Sequence, residues 1–185
     1  MVRSREVGEL LLGEWACLAC LVQAPTHGFE VAARLEGSGD LGRVWSLSRP
    51  LTYRSIEQLQ DRGLVEVVGE ERGRTGGTRT IFSATGHGRE LLDRWLVEPI
   101  THLRDARTEL LLKVVVGDQL GRDRAPLLAA QRTAFAGVLS APSASPSAAT
   151  TADPVDVWRE ESAAAVARFL DRLDAEARHP VHDAP

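Results

Sequence analysis

The sequence has little of what would announce most classes of function. Two cysteines in 185 residues, Cys17 and Cys20, cannot form a disulfide framework. Zinc held by a C-x-x-C pair needs two further ligands of the same kind, and there is no second pair. Both cysteines lie in an apolar run of helical period with no strand before it, unlike a thioredoxin-type motif. They read as buried core thiols, with a redox sensor as the other reading. The five histidines (His27, His87, His102, His179, His182) stand at no metal-ligand spacing. Gly73 to Gly77 lacks the lysine-hydroxyl pair of a phosphate-binding loop, and no G-x-S-x-G turn presents a nucleophilic serine. These absences argue against an enzyme, and neither a catalytic residue nor a cofactor is expected.

Long hydrophobic runs are also missing. The longest candidate, Leu10 to Val22, is interrupted by Gly13 and Glu14 and is followed by no small-residue cleavage site. No stretch approaches the roughly 18 apolar residues of a membrane span, so a cytoplasmic protein is expected. Lysine occurs once, as Lys113; the other basic residues are arginine, which with abundant alanine and glycine points to a GC-rich genome rather than to a function. The net charge is −4, not the strong positive charge of many nucleic-acid binders. Its distribution is uneven. Arg43 to Ile81 holds seven arginines against five acids, whereas the chain from Gly86 onward holds twelve basic residues against fifteen acids. A mildly basic front and an acidic back suit a DNA-reading head on a partner-facing tail, though chance would also produce this imbalance.

What is present is a series of amphipathic segments; 43% of the residues are hydrophobic, enough to build a packed interior. From Glu6 to Val22 apolar residues recur at helical spacing on two faces, which predicts a helix buried on both sides, for instance between its own domain and a partner subunit. Pro25-Thr26 ends it, and Thr26 or His27 opens a second helix through about Leu35. Ser48-Arg49-Pro50 has the form of a helix start, a capping hydroxyl with proline in the first turn; that third helix runs to about Asp61 and stops at Gly63. Leu64 to Val68 and Thr80 to Ser83 read as antiparallel strands around a glycine-rich turn.

Behind the hairpin, helices are predicted from Thr85 to Val97, Asp105 to Asp118, Asp123 to Leu139 and Val155 to Arg178. Residues 140–153 are low-complexity Ala/Ser/Pro/Thr and read as a flexible linker. In the last helix Trp158, Ser162, Val166, Phe169 and Leu173 form one narrow stripe. Such a stripe suits packing on another helix, either of a second subunit or of its own chain. The expected architecture is mainly α with a small β-hairpin wing. Residues 1–97 would form a winged helix-turn-helix and the helix after it, and residues 98–185 a helical dimerisation or effector domain.

In a winged helix-turn-helix the third helix enters the major groove. With Ile56 and Leu59 pointing inward, 100° per residue places Thr52 on their side and turns Pro50, Arg54 and Asp61 outward, with Leu51 and Tyr53 on the flanks. Arg54 can pair with a guanine and Leu51 can touch a thymine methyl. Ser48, Arg49 and Tyr53 are placed for phosphate, and Arg72, Arg74, Thr75 and Arg79 for backbone or minor groove along the wing. Glu70 and Glu71 beside the wing oppose tight phosphate contact.

Four segments carry a resemblance. Thr26-His27-Gly28-Phe29-Glu30-Val31 resembles the HGYEI element of PadR-like regulators, and Ser48-Arg49-Pro50-Leu51-Thr52-Tyr53 resembles the start of their recognition helix. Leu59 to Glu66 is similar to their LxxxGLIE, and Phe82 to Leu92 to their YxLTxxGxxLL. Leu110-Leu111-Leu112-Lys113-Val114-Val115 resembles the helical C-terminal domain of longer members related to virulence activators. The resemblance implies a homodimer on a palindromic operator, often a repressor released by a small hydrophobic or phenolic effector. It adds His27 and Gly28 to the DNA-facing set. It also makes Trp95 a candidate effector-stacking residue, beside Trp15 whose flat ring could stack likewise, although tryptophans at helical spacing are more often core. Leu11, Leu18, Trp158, Val166, Phe169 and Leu173 are the candidate dimerisation residues. The chain departs from the family where Arg54 replaces a proline after the tyrosine, where Leu51 and Thr52 exchange polarity, and where the second wing strand keeps only Phe82 of an aromatic pair. These departures, with the acidic pI of about 5.8, leave a winged-helix protein-interaction module as the alternative.

Overall fold

The computed structural model describes residues 10–72, 77–139 and 153–178. The described residues fall into two compact units: those up to 96 with 111–122, and 97–110 with those from 123 onward. The helix at 111–119 thus belongs to the first unit, although it lies beyond the 97/98 boundary read from the sequence.

The first unit begins with α1 (Leu12–Gln23), whose residues Gly13 to Val22 are all buried. A helix buried on every side was the expectation, but no second subunit is needed to cover it. Helices α2 (Gly28–Leu35), α3 (Arg49–Asp61) and α5 (Leu111–Gln119) and the strand β3 (Thr78–Ala84) pack around it within the unit. Glu14 starts the helix by accepting the Leu11 N–H at 2.7 Å. That carboxylate is 1% exposed and its second neighbour is the Arg62 guanidinium, 3.8 Å away, so one buried charge ties the start of α1 to the end of α3.

Helix α3 follows its local signals. Pro50 lies in the first turn, where its missing N–H costs nothing. Thr52, Ser55, Ile56 and Leu59 are its buried face, as the 100° spacing requires. Gly63, at φ +67°, ends it. There the Leu64 N–H reaches the Leu59 carbonyl and the Gly63 N–H the Gln60 carbonyl, both at 2.9 Å, the paired bonds of a left-handed helix stop. Ser48 occupies the capping position, but its hydroxyl makes no cap bond. Instead the Thr52 hydroxyl donates to the Ser48 carbonyl at 3.2 Å.

The hairpin is longer than expected. Strand β2 (Val65–Arg72) pairs antiparallel with β3 in a register that joins Val65 to Ala84 and Arg72 to Thr78, with an irregularity between Val67 and Gly69. A third strand, β1 (Thr26–His27), pairs with β3 on its other edge, Thr26 opposite Phe82 and His27 opposite Ile81. The sheet order is therefore β1-β3-β2. Helix α4 (Gly86–Val97) follows, with the Thr85 hydroxyl accepting the Gly88 N–H at 3.1 Å. Leu91, Leu92, Trp95 and Leu96 are its buried side, as the sequence pattern indicated. Fully buried leucines such as Leu18, Leu21, Leu35, Leu59 and Leu92 each contribute on the order of 2 kcal/mol by leaving water.

In the second unit the helix expected from Asp105 is broken. A 3₁₀ turn (Leu103–Asp105) and a π turn (Ala106–Leu110) precede the regular helix. Helix α6 (Ala125–Leu139) starts where Asp123 accepts the Ala125 N–H at 2.9 Å. The fully buried Gln131 amide bonds both backbone groups of Ile100, at 2.9 and 3.1 Å. Helix α7 (Pro154–Arg178) packs on α6 of its own chain through Leu170 and Leu173, and Arg132 bridges Asp171 and Asp174. No helix among the described residues is long and apolar enough to cross a membrane. The expected linker falls almost wholly on residues 140–152, outside the described residues.

Candidate nucleic-acid interface

The outer face of α3 is built by default: once Thr52, Ser55, Ile56 and Leu59 turn inward, Arg49, Pro50, Leu51, Tyr53 and Arg54 are left exposed. Leu51 and Tyr53 are about half exposed. The packing of α3 against α1 and α2 makes the helix-turn-helix, and the β2–β3 hairpin stands beside it as the wing.

His27, Gly28, Phe29, Arg49, Tyr53 and Arg79 are drawn together from four elements, β1, α2, α3 and β3. His27 caps α2, its Nδ1 accepting the Glu30 N–H at 3.1 Å. Its Nε2 faces Arg79 Nη1 of β3 at 3.2 Å, because β1 and β3 are paired. Gly28 lies under the Tyr53 ring: a Cβ there would stand 2.6 Å from Cε1. Phe29, half exposed, has the Arg49 guanidinium 4.7 Å from its ring centre and that of Arg79 at 5.9 Å. Arg49 also meets Glu36 at 3.4 Å.

Phe29 and Glu36 are the residues sequence reasoning missed. The signal for Phe29 was an aromatic next to Gly28 in an otherwise polar helix start; Glu36 had none. On the wing, Arg72 and Arg79 are exposed, and so are Glu66, Glu70 and Glu71. Arg74 and Thr75 lie outside the described residues.

Behind this face Arg34 forms a fork with Asp40, Nη2 to Oδ2 at 2.7 Å, and reaches Gln119 of α5 at 3.0 Å. The Arg34 hydrogen bond holds the Asp40 carboxyl below the usual carboxylate range, against a smaller opposing effect of burial. Cys17 and Cys20 are free and buried. Burial pushes the Cys20 thiol up to about 11 and Cys17 higher still, opposite to the activation a redox thiol needs.

The two candidate effector residues stack on each other. The rings of Trp15 and Trp95 are 4.7 Å apart and 10° from parallel, with the buried Lys113 ammonium 4.9 Å from the Trp95 ring. Each is less than a tenth exposed. Among the dimerisation candidates, Leu18 must be reassigned: it is fully buried in the first unit, beside Gly88, and offers no outer surface. Leu11 is half exposed, Val166 and Phe169 are partly buried, and Leu173 is buried within its own unit. Trp158, 73% exposed, stands with Val155 and Val157 at the open start of α7.

Three helices, a left-handed stop after the third and a three-stranded wing define a winged helix-turn-helix. No family model and no curated protein matches the chain. Among solved structures it is similar to the crystal structure of Bacillus subtilis PadR in complex with operator DNA, at 18% identity and a TM-score of 0.45, over 86% of this chain and 96% of that one.

Proposed function

We propose that this chain is a cytoplasmic, sequence-specific DNA-binding transcriptional regulator whose α3 reads the major groove of a palindromic operator. The observation that carries the reading is the outer face of α3, where Arg49, Leu51, Tyr53 and Arg54 are exposed in the turns nearest the helix start, the part of a recognition helix that reaches base edges. Arg54 contributes the guanine contact, Leu51 the thymine-methyl contact, and Ser48, Arg49 and Tyr53 fix the helix along the backbone. Arg72 and Arg79, together with Arg74 and Thr75, follow the adjacent groove.

The regulator acts as a homodimer, with the exposed Val155, Val157 and Trp158 as the surface offered to a second copy. Repression relieved by a small hydrophobic or aromatic effector rests on the resemblance of the four motifs. A flat ligand at Trp15 and Trp95 would have to take the place of one indole in the stack. Unchanged tryptophan fluorescence and melting temperature across an aromatic library would count against that part.

Fluorescence anisotropy of the purified protein on its own upstream region, at two salt concentrations, tests the reading. Saturable binding should fall with salt at a log–log slope of about −0.9 per phosphate contacted. Arg54→Ala should weaken it about tenfold, since a bidentate base contact is worth about 1–3 kcal/mol. Binding absent from every duplex would leave the winged helix as a protein-interaction module.

A further inference from the structure

Each ring nitrogen of His27 faces a hydrogen-bond donor. Its Nδ1 accepts the Glu30 N–H, so a neutral ring carries its proton on Nε2. Arg79 Nη1, which is only a donor, lies 3.2 Å from that Nε2. Two donors face each other with no lone pair between them. Making Nε2 the acceptor would move the proton to Nδ1 and give up the cap on α2.

The surroundings sharpen the conflict. Two guanidinium groups, Arg49 and Arg79, converge on the one exposed ring of Phe29. The acidic partner assigned to Arg49 is Glu36, an exposed contact at 3.4 Å that solvent screens. An oxygen anion accepting from both Nε2–H and Nη1–H resolves the conflict without disturbing the cap.

We propose that His27, Arg79 and Arg49, arranged around Phe29, form one clamp for a single phosphate of the DNA backbone. His27 Nε2–H and Arg79 Nη1–H share one oxygen, and Arg49 leaves Glu36 for a second. This rests on the DNA-binding reading above and adds to it a fixed point on the backbone. Phe29 acts as the platform that keeps both guanidinium planes in place, and the β1–β3 pairing sets the distance between His27 and Arg79.

The test compares wild type, His27→Asn, Arg79→Gln and the double variant by anisotropy on a duplex of the upstream region. Asparagine keeps the cap on α2 but lacks Nε2–H. Each single variant is expected to bind about five- to tenfold more weakly, as for loss of one charge-assisted hydrogen bond. The double variant should lose far less than the product of the two, because both groups serve one oxygen. The salt slope should fall by well under about 0.9 in Arg79→Gln, because Arg49 still pairs with the same phosphate, and stay unchanged in His27→Asn. In the wild type, nitrogen-15 spectra should show the His27 Nε2 proton become protected when duplex is added. Multiplicative losses, an unaffected single variant, or an Nε2 resonance indifferent to DNA overturns the clamp while DNA binding stands. A wild type that binds no duplex overturns the DNA-binding reading first and the clamp with it.

Discussion

The ring of Tyr53 rests directly on Gly28, so closely that a Cβ at position 28 would lie 2.6 Å from Cε1 and 3.1 Å from Cδ1. The exposed aromatic of α3 is thereby seated on the first residue of α2, and the two helices are held in register by a contact only glycine permits. Gly28→Ala should displace the ring, lowering stability by about 1 kcal/mol and weakening DNA binding. In a Tyr53→Ala background the same substitution should be neutral or stabilising, by up to about 1 kcal/mol, because alanine is the better helix former. Thermal melts of the four proteins check this. Equal effects of Gly28→Ala in both backgrounds would show that the ring is not what excludes a side chain.

Arg49 meets Glu36 at 3.4 Å, so in the proposed clamp Glu36 would compete with the DNA backbone for it. Glu36→Gln should therefore tighten binding about two- to fivefold, the range expected when an exposed pair worth up to about 1 kcal/mol is removed from the free state. The gain should shrink as salt rises. Anisotropy at two ionic strengths measures it, and weaker binding in the variant would place Glu36 among the supports of the interface instead.

Cys17 and Cys20 should be silent toward thiol reagents in the folded protein. Both are buried, Cys17 directs its thiol toward the Thr52 carbonyl at 3.9 Å, and burial raises both pKa values, that of Cys20 to about 11. Thiolate is scarce at neutral pH and access is closed. Labelling by a disulfide reagent should occur only at the rate of unfolding, and mild peroxide should leave DNA binding unchanged. Fast labelling without loss of structure would revive the redox-sensor reading.

The Arg34–Asp40–Gln119 network should give α5 a pH-dependent hold on the first unit. The folded-state pKa of Asp40 is depressed below its ordinary 3.8, first by the Arg34 hydrogen bond. Its contribution is thus present above the ordinary carboxylate value and is lost as pH falls through the folded one. Asp40 is 44% exposed on its side chain, so the effect is small, under about 1 kcal/mol. The melting-temperature gap between wild type and Asp40→Asn should be constant near neutrality and close in acid. A gap that persists in acid would mean that packing, not charge, makes the difference.

Much of this protein was written locally. The limits of α3 follow from Pro50 and Gly63, its buried side from the spacing of Thr52, Ile56 and Leu59, and the inner face of α4 from Leu91, Leu92, Trp95 and Leu96. Periodicity and helix stops act within a turn or two of chain, so a sequence displays them without knowing what lies across the core. By itself the sequence determined three helices, a hairpin and an arginine-bearing third helix. Tertiary structure decided what joins them. Strand β1 is two residues long and exists only because β3 offers it a backbone edge. The grouping of Phe29 with Arg49 and Arg79, the Trp15–Trp95 stack and the allegiance of α5 to the first unit depend on separations in space that no residue's neighbours in the chain encode.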